Sequence, residues 1–175
     1  MAKTSKTQVE QDVVKVLDAL EQHSKESIDE IAKSCGFSRQ KVSRIIENLE
    51  RNKVIWGYPP ITENNGGNDK HFTLLVKRTL VPIDNEIRKE VNSDRIDNRI
   101  PGLVKMENIY TTNGDICDFI FTFYAPDLIT AKKFVQLLFK RHTYHIKHYY
   151  LLETMVHMRK QGLKNPKMKE LSEYL

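Results

Sequence analysis

Long hydrophobic runs are absent from this sequence, and cysteine is scarce. No window approaches about 18 consecutive apolar residues, so a membrane-spanning helix is excluded. The stretch MAKTSKTQVEQDVV is polar, and we expect no secretory signal peptide. The two cysteines, Cys35 and Cys117, form no Cys-x-x-Cys pair, which argues against a disulfide framework or a zinc site. The expected compartment is therefore a reducing cytoplasm.

An excess of positive over negative charge is also absent from most of the chain. The 175 residues are 39% hydrophobic and 29% charged, which suits a folded core, and the net charge is +5. Residues 1–60 carry 10 Lys/Arg and 9 Asp/Glu, residues 61–131 carry 8 and 11, and residues 132–175 carry 10 and 3. Such a local excess indicates either an anionic contact surface or a means of solubility.

One polar break, Thr62–Lys70, divides the chain. Its three Asn and two adjacent Gly do not hold regular structure at low cost. We predict a first domain over residues 1–60, a linker over 61–70, a second domain over 71–160 and a tail over 161–175. The tail contains Asn165-Pro, which is typical of the start of a short helix.

The first 60 residues contain three helical patterns. Ser27-Ile-Asp-Glu30 is a capping box that begins the second helix, and Gly36 can end it in a left-handed conformation. Ser38 is the expected N-cap of the third helix. After Asn52, the β-prone segment Val54–Tyr58 closes on two prolines. This order predicts a winged helix-turn-helix. The apolar positions are Val9, Val13, Val16, Leu17 and Leu20, then Ile28, Ile31, Ala32 and Cys35, then Val42, Ile45, Ile46 and Leu49.

The third helix is the expected recognition helix, because its polar side chains lie opposite its core positions. Arg and Gln make bidentate contacts with base edges, Lys and Ser suit phosphates, and a helix N-terminus attracts phosphate. The alternative is a solvated face of an ordinary three-helix domain, but the capped helix pair, the turn glycine and the β segment favour DNA binding. The predicted DNA-binding residues are Ser38, Arg39, Gln40, Lys41, Ser43, Arg44 and Arg51.

The second part alternates strands and helices in the order β-α-β-β-α-β. The predicted strands are His71–Leu80, Val104–Thr111, Cys117–Ala125 and His145–Met158; one helix begins at Pro82 and fades near Asn98, and the other is capped by Asp127. The fold class is therefore α+β, with an N-terminal winged helix-turn-helix followed by a ferredoxin-like domain.

Both faces of the predicted sheet are apolar, whereas a half-solvated sheet alternates with polar residues. We therefore expect the second face to be shielded from solvent. The simplest way is packing against the same sheet of another copy, which gives a homodimer. The alternative cover is the tail after Gln161. We expect Tyr149 and Leu151 on the face that meets the partner.

Two segments carry a family resemblance. GFSRQKVSRIIENLE (Gly36–Glu50), followed by VIWGY (Val54–Tyr58), resembles the winged-helix segment of the Lrp/AsnC (feast/famine) transcriptional regulators. IPGLV (Ile100–Val104) and NGDICDF (Asn113–Phe119) are similar to the ligand-responsive domain of the same family. The resemblance spans roughly residues 8–160.

The resemblance implies a regulator that binds double-stranded DNA as a dimer or octamer and responds to an amino acid. It implies an effector loop at Asn113, Gly114, Asp115 and Asp118. From the residues alone, capping of the turn is an equal alternative for these Asp side chains. We expect Gly114 to take a positive φ in this turn.

Catalytic and metal chemistry find no support in the sequence. No nucleophile pattern or glycine-rich phosphate loop is present, so we expect no enzyme and no cofactor. His145 and His148 would point to opposite faces of a strand, so no metal site is predicted. A second hypothesis remains: a module without sequence-specific DNA binding, in which the winged helix binds proteins and the ferredoxin-like domain senses a small molecule. The acidic Glu47 on the exposed face of the third helix favours this alternative.

Overall fold

The computed structural model describes residues 6–22, 25–62, 67–85, 88–89, 104–140 and 142–167. The chain divides into two compact units, Met1–Pro60 and Ile61–Leu175. None of the described helices combines the length and hydrophobicity that crossing a bilayer requires.

The first unit contains helices α1 (Lys6–Gln22), α2 (Ile28–Cys35) and α3 (Arg39–Arg51). Both halves of the predicted capping box form: the backbone N–H of Glu30 donates to the hydroxyl of Ser27, and the Glu30 carboxylate accepts from the backbone N–H of Ser27. Gly36 ends α2 at a φ of 66°, and Ser38 caps α3 by accepting from the N–H of Lys41. Local sequence thus determines where α2 and α3 begin.

One apolar cluster holds the three helices together. Val9, which was predicted to be in this core, is instead half-exposed. The buried residues are Val16, Leu20, Ile31, Ala32, Cys35 and Val42, and Ala19, Ile28, Phe37, Ile45, Ile46 and Ile55 pack against them.

The segment Val54–Tyr58, predicted as the β element of a wing, forms no strand. Its backbone instead bonds to the end of α3, with the N–H groups of Val54 and Ile55 donating to the carbonyl of Leu49. A strand needs a partner, and within the described residues no second extended segment lies beside this one. The phenol of Tyr58 donates to the Glu50 carboxylate at 2.9 Å, which ties the segment back to α3.

The second unit is built on a four-stranded antiparallel sheet. Its strands are β1 (Lys70–Arg78), β2 (Lys105–Thr111), β3 (Phe119–Ala125) and β4 (Ile146–Glu153), in the order β2-β3-β1-β4. This is the strand order of a ferredoxin-like sheet, as the sequence predicted. The predicted helix that begins at Pro82 lies mostly outside the described residues.

Helix α4 (Leu128–Lys140) covers one face of this sheet. As predicted, Asp127 caps it, accepting from the N–H of Thr130 at 2.6 Å. The core consists of Phe72, Leu74, Val76, Phe123, Ala125, Ala131, Phe134 and Val135. Leu128, at the first position of α4, is exposed although its apolar side chain favours the inner face.

Strand β4 is shorter than predicted. It ends at Glu153, which pairs with Phe72 near the start of β1, and residues beyond Met155 would have no β1 residue opposite them. Two short strands follow, β5 (Arg159–Lys160) and β6 (Leu163–Lys164), joined by a tight turn at Gln161 and Gly162, which both have positive φ. The tail predicted to begin at residue 161 therefore starts inside a hairpin, and most of its predicted helix lies outside the described residues.

Candidate nucleic-acid interface

Helix α3 presents the seven predicted DNA-binding residues, but their surroundings divide them into two sets. The first set is engaged with the protein: the hydroxyl of Ser38 holds the helix cap, and the hydroxyl of Ser43 donates to Glu47 at 2.9 Å. Arg39 lies 3.3 Å from Asp29 of α2, with both side chains exposed. Two of these contacts lie within α3 and its cap, and only the exposed pair of Arg39 and Asp29 joins α3 to α2.

Lys41 is the most firmly held member of this set. Its ammonium lies 2.6 Å from the Asp12 carboxylate and 3.8 Å from the centre of the Phe37 ring. The Asp12 side chain is only 8% exposed, and the hydrogen bond from Lys41 is the main cause that lowers its pKa. Lys41 thus orients α3 on α1 rather than extending toward solvent.

Gln40, Arg44 and Arg51 form the second set. All three are exposed, and within the described chain no hydrogen bond or ion pair engages their side chains. They lie on the face of α3 opposite Val42 and Leu49, as the helical spacing predicted. Arg44 also lies at the rim of a groove of about 410 Å³ between α1 and α3, beside Ile45 and Asn48. A fixed helix with free Arg and Gln side chains is suited to contacting base edges and phosphates.

Sequence reasoning missed Asp12 as part of this interface. The signal was present, because Asp12, Val16 and Leu20 are spaced by four residues and so share one face of α1. A buried acid on an apolar face needs a cationic partner, and that partner is Lys41.

Comparisons with known proteins agree with this geometry. Residues 14–55 match the family model of winged helix-turn-helix DNA-binding domains. An AsnC-family transcriptional regulator from Agrobacterium tumefaciens is similar over 94% of this chain and 98% of its own, with 19% identity and a TM-score of 0.65. LrpC from B. subtilis is similar over 85% and 96%, with 15% identity and a TM-score of 0.60.

This chain has the Lrp/AsnC fold.

The family resemblance and the α+β fold class predicted from the sequence are confirmed at the level of the fold. A transcriptional regulator from Neisseria meningitidis, solved as a complex with L-Met, is similar to 94% of this chain and covers 97% of its own, with 14% identity and a TM-score of 0.62. No curated protein sequence matches the chain.

Within this Lrp/AsnC fold, the predicted effector loop follows β2. Asn113, Gly114 and Asp115 are exposed, and Gly114 does not have the positive φ that we expected. Asp118 is held by the protein: its carboxylate accepts from the backbone N–H of Arg78 at 2.8 Å and lies 3.5 Å from the Lys77 ammonium. The hydrogen bond from Arg78 is the main cause that lowers its pKa. Asp118 therefore anchors the loop, and Asp115 is the carboxylate left exposed there.

The sheet face opposite α4 carries a second cluster that the sequence did not predict. We call residues 154–164 the strap, because they cross one end of this face. The His71 ring contacts Thr154 Oγ1 at 2.7 Å and Glu107 Oε2 at 3.0 Å, and the His157 ring lies 4.5 Å from it. Lys160 binds Tyr124 and lies 3.4 Å from Glu107. These five residues, His71, Glu107, Tyr124, His157 and Lys160, are named the polar cluster.

The other end of the same face is apolar and exposed. The register places Tyr110, Ile120, Leu75 and Tyr150 opposite one another, so they form one row across all four strands. Tyr110 is 50% and Tyr150 54% exposed. The strap covers the polar cluster and leaves this row open.

The prediction that Tyr149 and Leu151 lie on this open face is wrong. They pair with Val76 and Leu74, whose side chains are buried under α4, and the Tyr149 ring lies 4.7 Å from that of Phe139. Strand side chains alternate between faces, so Tyr150 and Leu152 are the β4 residues on the open side.

In the described parts of the two units, no group of three or more His, Cys, Asp or Glu side chains is arranged so that it could hold a metal ion. His145 lies in a short 3-10 turn (Thr143–His145), and His148 lies in β4, where its ring contacts that of Tyr150.

Proposed function

We propose that this protein is a transcriptional regulator that binds duplex DNA through the outward face of α3. The observation that carries the proposal is the division of α3: its cap and Lys41 are fixed to the protein, while Gln40, Arg44 and Arg51 are exposed and unpaired among the described residues. A helix held on one side and free on the other is what insertion into a major groove requires.

The residue roles follow from these contacts. Gln40 and Arg44, in the first half of α3, read base edges, and Arg51 in the last turn contacts a phosphate. Ser38 caps the helix and Lys41 positions it on α1, while the hydroxyl of Ser43 bonds to Glu47 within the helix. When DNA approaches, the Arg39 guanidinium leaves Asp29 and binds a phosphate. Breaking the ion pair with Asp29 costs little free energy, because both side chains are exposed.

A homodimer is the assembly that suits this function. The row Tyr110–Ile120–Leu75–Tyr150 is apolar, with exposed tyrosines at both ends and half-buried Ile120 and Leu75 between them, and a second copy of the same face would cover it. Two copies present two recognition helices to half-sites about one helical turn apart. A protein that regulates transcription in this way works in the cytoplasm.

An amino-acid effector is the regulatory ligand that we propose, with an octamer as the larger assembly. Asp115 is exposed in the loop that resembles the family's effector site, and a structurally similar regulator was solved with L-Met. Asp115 would pair with the ammonium group of the ligand, and backbone N–H groups of the loop would bind its carboxylate.

Genomic selection tests the proposal directly. Sheared genomic duplexes are incubated with the purified protein, and the retained fragments are sequenced and then titrated at several salt concentrations. We expect a shared palindromic motif and an affinity that falls as salt rises. Absence of any DNA affinity at low salt would refute the proposal and would favour a module without sequence-specific DNA binding.

A further inference from the structure

The net positive charge of this chain lies in one segment of the second unit. Residues 128–152 contain five Lys/Arg and no Asp/Glu, whereas the other 150 residues contain 23 of each. Residues 1–60, which include α3, have a net charge of only +1. The unit that reads DNA is therefore almost neutral, and the charge that would attract DNA is elsewhere. The five basic residues are Lys132, Lys133, Lys140, Arg141 and Lys147.

The structure places three lysines of this segment on the solvent side of α4. Ala131, Phe134 and Val135 bury the inner face of α4, so Lys132, Lys133 and Lys140 lie on its solvent side, and all three are exposed. We call Lys132, Lys133 and Lys140 the α4 basic face.

The ammonium groups of the α4 basic face differ from the other lysines near the sheet. Lys70 lies 2.6 Å from Glu153, Lys77 lies 3.5 Å from Asp118, and Lys160 lies 3.4 Å from Glu107. In the described chain, no carboxylate lies within ion-pair distance of the α4 basic face. Asp127, the nearest acid along the sequence, caps α4 and interacts with Lys133 only through longer-range Coulombic attraction. The face therefore keeps a net positive charge.

We infer that the α4 basic face is a second DNA-contact surface, which binds phosphates of the duplex that α3 reads. This inference rests on the proposed function. Lysine ammonium groups act as point charges and suit sequence-independent phosphate contacts. The two units are covalently joined, so a duplex held by α3 is present at high local concentration for the second unit. An acidic protein surface is the competing partner, but the near-neutral first unit favours DNA.

Salt titration of a triple variant tests this inference. Affinity for a fluorescent 60-base-pair duplex of random sequence is measured at a series of salt concentrations for wild type and for Lys132→Gln/Lys133→Gln/Lys140→Gln. Abolishing one phosphate interaction makes the slope of log K against log salt shallower by about 0.9, so we expect a slope shallower by about 2 to 3. The matched control, Lys25→Gln/Lys89→Gln/Lys164→Gln, removes the same charge from exposed sites elsewhere and should change the slope by less than about 1.

Further variants separate the outcomes. The triple Lys→Arg variant keeps the charge and should keep the wild-type slope. If the triple Lys→Gln variant does not fold, the single variants Lys133→Gln and Lys140→Gln replace it, and each should make the slope shallower by about 0.9. An unchanged slope, or an equal change in the control, overturns this inference and leaves an acidic protein as the partner. Failure of the proposed function has a different signature, because wild type itself would then not bind DNA at low salt.

Discussion

Lys41 and Arg44 are basic residues of α3 only three positions apart, but their side chains have different roles. Lys41 is held between Asp12 and the Phe37 ring, so it contributes to the folding of the first unit. Arg44 is exposed, and among the described residues its guanidinium has no carboxylate partner. Substitution at these positions should therefore separate folding from DNA binding.

Replacing Arg44 by Ala should weaken DNA binding and leave folding intact. An exposed helix position changes the free energy of unfolding by less than about 0.5 kcal/mol. Removal of a base-reading side chain costs about 1–3 kcal/mol of binding free energy and relaxes sequence preference at that position. Fluorescence anisotropy with a selected duplex measures the affinity, and circular dichroism checks the fold. Wild-type affinity in the folded variant would remove Arg44 from the interface.

Replacing Lys41 by Ala should instead lower the stability of the first unit. The Asp12 side chain, almost fully buried, would lose its cationic partner, and a buried carboxylate without one is unfavourable. We expect a lower melting temperature by calorimetry, which the double variant Lys41→Ala/Asp12→Asn should partly restore because it removes the unpaired charge. A melting temperature equal to that of wild type in Lys41→Ala would show that the ion pair is not structural.

At the scale of elements, the strap makes the stability of the second unit depend on pH. Burial lowers the pKa of His71, and burial together with the neighbouring His71 lowers the pKa of His157. Both rings therefore accept a proton less readily in the folded protein than in the unfolded chain, where histidine is protonated below about 6.5. The contribution of these two rings to the free energy of unfolding should be fully present above that pH. It should be lost as the pH falls toward the lower pKa values of the folded state.

The measurement is thermal unfolding of wild type and His157→Gln between pH 7.5 and 5. We expect the melting temperature of wild type to fall with pH and that of the variant to fall less, because one of the two rings no longer titrates. Glu107 and Asp118, whose pKa values are lowered from 4.5 and 3.8, do not contribute in this range. Identical pH profiles would show that His157 is not held neutral by the strap.

The two faces of β4 give a second test at this scale. Leu152, on the open face, is 52% exposed, whereas Leu151 packs against the core beneath α4. Leu152→Asp should fold and yet dissociate a dimer, since it would bury an unpaired charge between copies. Leu151→Asp should instead lower the free energy of unfolding. Light scattering and calorimetry distinguish the two, and a dimeric Leu152→Asp protein would place the interface elsewhere.

At the scale of the whole molecule, ligand binding should be coupled to assembly. If an amino acid binds the loop after β2 at a contact between copies, it stabilises the assembly that completes the site. We expect one of the twenty amino acids, L-Met among them, to raise the melting temperature and change the sedimentation coefficient at millimolar concentration. Asp115→Ala should abolish both effects, whereas Ile116→Ala, at the exposed neighbouring position, should not.

No response to any amino acid would refute the effector proposal. The DNA-binding proposal would stand in that case, because it rests on α3 and its contacts in the first unit. The α4 basic face is likewise independent of the loop, since its test measures salt dependence without a ligand.

The sequence by itself determined the elements whose signals are local. Ser27, Gly36, Ser38 and Asp127 act through hydrogen bonds and dihedral preferences within a few residues, so the starts of α2, α3 and α4 were predictable. The outward face of α3 was predictable for a similar reason, since helical periodicity fixes which side chains oppose the core. The four strands of the second unit and their order along the chain were also predicted and are confirmed.

Contacts between residues distant in sequence decided the rest. Lys41 was predicted to contact DNA because its helix position is polar, and only the packing of α1 against α3 shows that Asp12 holds it. The end of β4 depends on where β1 begins, and the segment Val54–Tyr58 lacks a strand partner despite its β propensity. The polar cluster joins residues from 71 to 160, which meet only when the sheet and the strap are folded. Pairing in space, unlike capping or periodicity, leaves no signal within a short stretch of sequence.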